Sequence, residues 1–161
     1  MNKERQVIEP NAIIIFDGDV NSIELEKLPK GFQGDIVIKG MLVFEENLSI
    51  ECDNLYVDVL CGGESDTYIK GNVFTSGDAY LHNTVINGSL YCKGNLCSTE
   101  SNIAIGEDLV VREQIEAFLA NISVGGNLKC NSIKEANSIE VLGEFEVTET
   151  VNANHIHIYV G

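Results

Sequence analysis

The stretch VGGNL, residues 124–128, sets two apolar residues four positions apart across a glycine corner. The same arrangement stands in IKGNV (69–73), INGSL (86–90), VLGEF (141–145), IGEDL (105–109) and FQGDI (32–36). A degenerate copy without glycine, CDNL, ends at Leu55. With the second apolar residue as anchor, Ile36, Leu55, Val73, Leu90, Leu109, Leu128 and Phe145 lie 19, 18, 17, 19, 19 and 17 residues apart. A period of about 18 residues sustained along a chain marks a stacked repeat.

The neighbours of each anchor keep the period. Two positions on stand Ile38, Val57, Thr75, Cys92, Val111, Cys130 and Val147, all β-branched or cysteine, which packs as a small hydrophobe. Alternation of this kind places both positions on one face of a strand. A second alternating pair precedes the glycine in Ile103/Ile105, Ile122/Val124, Ile139/Val141 and Ile156/Ile158. A looser third group follows the anchor strand, as in Ile133 with Ala136 and Val151 with Ala153. Three short strands per coil, with Gly, Asn and Ser at the corners, describe an all-β fold. The expected architecture is a single-stranded triangular parallel β-helix (a β-solenoid) of about 18 residues per coil and seven to eight coils. Each coil buries its inner face only by stacking on its neighbours, about 4.8 Å away. Intervals that vary, where left-handed hexapeptide solenoids keep a strict six-residue repeat, favour a right-handed helix and remove the warrant for acyltransfer.

The solenoid is expected over residues 12–161, with 1–11 as an extension or cap. AIIIFDGDV, residues 12–20, supplies the first copy: Phe16-Asp17-Gly18-Asp19-Val20 aligns with Phe32-Gln33-Gly34-Asp35-Ile36, placing Val20 one coil before Ile36. Residues 21–33 are irregular and read as a loop or cap. Glu107 to Asn121 carries a partial helical period, but it starts at one anchor and ends before the next copy. It is assigned to a coil with an enlarged side, against a short helix bulging from the rod.

Composition narrows the function classes. At 161 residues with 25 acidic and 10 basic side chains, the chain has a formal charge of −15. Such a surface disfavours nucleic acid phosphates and anionic membranes, and it suits a basic protein partner. No apolar run approaches the ~20 residues that span a bilayer, and MNKERQVIEPN lacks a signal-peptide core. The five cysteines, Cys52, Cys61, Cys92, Cys97 and Cys130, form no paired CxxC motif and read as reduced thiols of a cytoplasmic protein.

Few residues suggest chemistry. Asp17 and Asp19 follow an apolar run, like the strand-end Asp-x-Asp of haloacid-dehalogenase-type phosphatases. That chemistry also needs a lysine, a downstream hydroxyl, distal acids and a doubly wound sheet, and no strand–helix alternation follows. The pair is expected to be outward corner residues. Cys92 and Cys130 share an inward column two coils apart, roughly 9–10 Å, too far for a disulfide. His155 and His157 alternate with isoleucines, so both imidazoles should face outward; they are metal candidates only if carboxylates join them. No residue pattern calls for a cofactor. HIHIYVG, residues 155–161, is a full strand with no polar cap expected after it, and an uncapped solenoid end promotes association. Ile156, Ile158, Tyr159 and Val160 are the candidate self-association residues.

The I-x-G-[NSD]-[LVI] corners, the ~18-residue coil and the short alternating strands resemble the core domain of bactofilins, bacterial polymer-forming cytoskeletal proteins, over residues 32–161. The resemblance implies a right-handed triangular β-helix and nucleotide-free end-to-end polymerisation, and it supplies no catalytic or cofactor residues. The leading expectation is a non-enzymatic structural or scaffolding protein that forms homo-oligomers through its solenoid ends, its acidic sides limiting lateral clumping. The alternatives are an acidic binding or inhibitory module for a basic protein, and an enzyme, either a phosphatase or a carbohydrate-active β-helix.

Overall fold

A computed structural model describes residues 12–25, 28, 32–44, 46–62 and 66–159. These form a β-solenoid of about seven turns in which every strand pairing is parallel. Alternation makes the strands, and stacking makes the core, because the inner side of each coil is apolar and must be covered by its neighbours.

The first face carries the anchors. Ala12–Phe16 lies on residues 34–38, and Ile36, Leu55, Val73, Leu90, Leu109, Leu128 and Phe145 follow one another in register. Every one of these anchors but Phe145 is at most 1% exposed. The second face stacks Val20, Leu42, Leu60, Ala79, Leu96, Ile115, Ile133 and Val151. The third stacks Ile50, Ile69, Ile86, Ile105, Val124, Val141 and Ile158. Threonines that enter the columns are satisfied locally: Thr75 Oγ1 donates to the Gly77 carbonyl at 2.9 Å, and Thr84 Oγ1 to that of His82 at 3.1 Å. The segment Glu107–Asn121 is strand, with Leu109–Val111, Gln114–Phe118 and the start of Asn121–Val124, so packing overrides its partial helical period.

The register of the first coil differs from expectation. Val20 pairs with Leu42, not Ile36; Ile14 lies on Ile36 and Phe16 on Ile38. Phe16-Asp17-Gly18-Asp19-Val20 therefore matches Ile38-Lys39-Gly40-Met41-Leu42, the corner between first and second faces. The apolar-x-Gly-x-apolar pattern marks two corners of the triangle, and only pairing tells them apart. Between them, Ser22–Leu25 makes one helical turn where the third face has no strand. The Glu24 amide donates to Asn21 Oδ1 at 3.1 Å, and the Asn21 amide to Glu24 Oε2 at 3.4 Å, a reciprocal cap. Leu25 and Phe32 are buried in the core; residues 26, 27 and 29–31 of the irregular stretch lie outside the described residues. The 1–11 extension lies outside the described residues.

Candidate functional site

The stretch AIIIFDGDV runs from a first-face strand into the corner before the second face. Asp19 Oδ1 accepts the Met41 amide at 2.9 Å, a bond from one coil to the next. Asp17 and Asp19 border a surface groove of about 470 Å³ with Glu24, and among the described residues none lining it is cationic.

The same kind of bond recurs at that corner, from the Asn95 amide to Asp78 Oδ1 at 2.8 Å and from the Gln114 amide to Asn95 Oδ1 at 3.1 Å. At the corner before the first face, the residue preceding each anchor carries a second ladder from coil to coil. Asn54 Nδ2 donates to Asp35 Oδ1 at 3.0 Å and Asn72 Nδ2 to Asn54 Oδ1 at 3.1 Å. The Ser89 amide donates to Asn72 Oδ1 at 2.9 Å, and the Asp108 amide to Ser89 Oγ at 3.0 Å. The Asn127 amide donates to Asp108 Oδ1 at 2.9 Å, and the Glu144 amide to Asn127 Oδ1 at 2.8 Å. Each bond satisfies a corner group that no strand can pair. Several of the acidic residues thus serve the corners. Other described acidic residues stand at all three corners, as with Asp17 and Glu113, Asp66 and Glu100, Asp53 and Glu107, or within strands, as with Glu51, Glu116 and Glu140.

The thiols are packing groups. Burial, helped by Asp53 and Asp35, pushes Cys52 up to about 12; burial alone takes Cys130 to about 12; burial and Glu116 take Cys97 to about 11. Burial also raises Cys92. Thiols held protonated are poor nucleophiles and poor metal ligands. His155 and His157 are exposed, level with Ser138 and Glu140 of the coil beneath. Among the described residues no three His, Cys, Asp or Glu side chains gather closely enough to hold a metal ion.

The terminal coil is different. Its residues continue the inward columns, yet Val151 is 37% exposed, Ile156 42% and Ile158 41%. One coil below, Ile133, Ile139 and Val141 are 0% exposed. Phe145 and Val147 are only half-buried, above the buried Leu128 and Cys130. Tyr159 is exposed and donates its amide to the Val141 carbonyl at 2.9 Å; Val160 lies outside the described residues. Among the described residues no coil lies above this apolar ring, and its strands pair on one side. At the opposite end Val20 and Leu25 are buried at 3% and 4%, while Ala12, Ile14 and Phe16 of the first face are half-buried.

A feature absent from the sequence reading runs up the outside of the first face. One position after each anchor, Val37, Tyr56, Phe74, Tyr91 and Val110 stand in register, preceded by Ile15. The Tyr56 and Phe74 rings stack at 4.8 Å and 13°, and Phe74 and Tyr91 at 5.0 Å and 12°. Apolar character at anchor plus one was the available signal. No family model, curated protein or solved structure matches the chain. No helix among the described residues is long and apolar enough to cross a membrane.

Proposed function

We propose that this protein is a non-enzymatic structural element of the cytoplasm that associates with a second copy of itself through the open end of its solenoid. The observation that carries the reading is the contrast between Ile139, wholly buried, and Ile156 directly above it at 42% exposure. An inward-facing column left half in water, beside a strand edge, is the kind of surface that proteins cover. Another β-solenoid offers parallel or antiparallel strands at the same spacing and a matching apolar interior. The resemblance to polymer-forming bactofilins points the same way. On this view the coil-to-coil bonds of the Asx side chains keep the rod rigid, and the charge of −15 keeps assemblies soluble.

Light scattering and sedimentation over a protein concentration series test the proposal. Mass should rise with concentration, and Ile158→Lys should hold the protein at the smaller species, because a charge at the open end would be buried unpaired. A strictly monomeric protein at high concentration, with Ile158→Lys changing nothing, would sink it.

A further inference from the structure

The chain contains a single Asn-Gly pair, Asn87-Gly88, and a single Asp-Gly pair, Asp17-Gly18. Both side chains are exposed. Glycine leaves its own amide nitrogen unshielded, so that nitrogen can reach the Cγ of the residue before it. Asparagine gives up ammonia more readily than aspartic acid gives up water, so sequence alone ranks Asn87 as the faster site. The solenoid reverses that order. Gly88 is buried, its amide donates to the Gly71 carbonyl at 3.2 Å, and its carbonyl accepts the Glu107 amide at 3.0 Å. The Asn87 amide donates to the Ile69 carbonyl at 2.9 Å. Coils on both sides thus hold this pair, and the attacking nitrogen is occupied. At the corner where Gly18 stands, the equivalent amides of later coils also donate to the coil beneath: Gly77 to the Asp58 carbonyl at 2.7 Å, Gly94 to Gly77 at 3.1 Å and Glu113 to Gly94 at 3.3 Å. Gly18 belongs to the first described coil, and among the described residues its amide has no acceptor. Its φ is +132°, and a Cβ added there would meet nothing within 4 Å.

We propose that Asp17-Gly18 is a site of spontaneous isoaspartate formation in the folded protein, whereas Asn87-Gly88 is protected by the solenoid wall. The Gly18 nitrogen bonds to Cγ of the protonated Asp17 carboxyl, and the carboxyl hydroxyl leaves with the amide proton as water. Water then opens the cyclic imide at the former main-chain carbonyl. The C–N bond broken is the original peptide bond, so the chain now runs through the side-chain carbon and the old carbonyl becomes a free carboxylate. Asp17 loses and regains a water, and no oxidant or cofactor enters. The main chain gains a methylene beside Asp19, whose Oδ1 holds the Met41 amide at 2.9 Å, and beside the buried Val20. The modification therefore loosens the bond between the first two coils.

The test ages the full chain near neutral pH, folded in one portion and in urea in another. Electron-transfer fragmentation locates isoaspartate, methyl transfer from labelled S-adenosylmethionine by an isoaspartate-specific carboxyl methyltransferase counts it, and mass gain reports deamidation. Asp17 should convert in the folded chain within about threefold of its rate in urea, while folded Asn87 is slowed about a hundredfold, because wall amides open only with a large part of the fold. Asp17→Ala should remove methyl acceptance from the folded chain. Conversion of Asp17 in urea alone, deamidation of folded Asn87 at its unfolded rate, or methyl acceptance that survives Asp17→Ala overturns the inference. Hydrogen exchange at the Met41 amide should be faster in aged than in fresh protein; equal exchange overturns the loosening of the first coil.

Discussion

Ile139 and Ile156 occupy the same inward column one coil apart, which makes truncation of each to alanine a direct measure of the open end. At Ile139, 0% exposed, the loss should be that of a closed core site, about 2–5 kcal/mol. At Ile156, 42% exposed, a little more than half of the burial is in place, and the neighbouring void opens to water. The cost in an isolated rod should fall to about 1–2 kcal/mol. Covering the end adds the remainder. Val151, Ile156 and Ile158 keep roughly 40% of their surface in water, and at ~1.5–3 kcal/mol per fully buried side chain the three together would contribute about 2–4 kcal/mol per copy on association. Against the cost of joining two molecules, that predicts a weak contact, so its effect should depend on protein concentration. The assay is urea unfolding of both variants at low and high protein concentration, with hydrogen exchange of the terminal coil as a local readout. The Ile156→Ala cost should rise with concentration while the Ile139→Ala cost stays larger and nearly constant. Equal costs at the lowest concentration would refute the reasoning, since they would mean that the end is already closed within one chain.

Asn72→Ala removes both the acceptor of the Ser89 amide and the donor to Asn54, and should lower stability by about 1–3 kcal/mol. Asp17→Ala, at an exposed corner, should stay within about 0.5 kcal/mol by thermal melting. Gly71 has φ +140°, and a Cβ there would overlap the Cys52 carbonyl oxygen. Gly71→Ala should therefore destabilise by more than about 2 kcal/mol in urea unfolding, and a melt like that of the parent would contradict the close approach. Cys52 is held neutral in the folded state up to about 12 against an ordinary value of 9.0. Its contribution is complete below pH 9 and is lost as pH rises towards 12, because the unfolded chain gives up the proton first. The slope is about 1.4 kcal/mol per pH unit where the unfolded thiol has ionised and the folded one has not. Cys52→Val should flatten that alkaline decline in pH-dependent unfolding, and an unchanged slope would show that the thiol titrates freely.

The sequence by itself determined the repeat and the columns. From Ile36 to Phe145 the anchors, and the residues two positions on, stack as their spacing requires. Most inward side chains are apolar, with a few threonines whose hydroxyls bond locally, so the columns leave a periodic mark. The outward positions carry no such obligation. The Asx bonds before the anchors and the aromatic ridge after them are visible in sequence only once pairing has shown which residues are neighbours. The same ambiguity misplaced Val20, since a glycine corner looks alike at two vertices and the first coil is long, 22 residues between Ile14 and Ile36. Only the tertiary structure decided what AIIIFDGDV does. There an apparent catalytic carboxylate holds the backbone of the next coil, because stacking brings Met41 beside Asp19 across 22 residues of chain. It alone also decided that Ile156 differs from Ile139. Their local sequences are equivalent, and the difference lies in having a coil above.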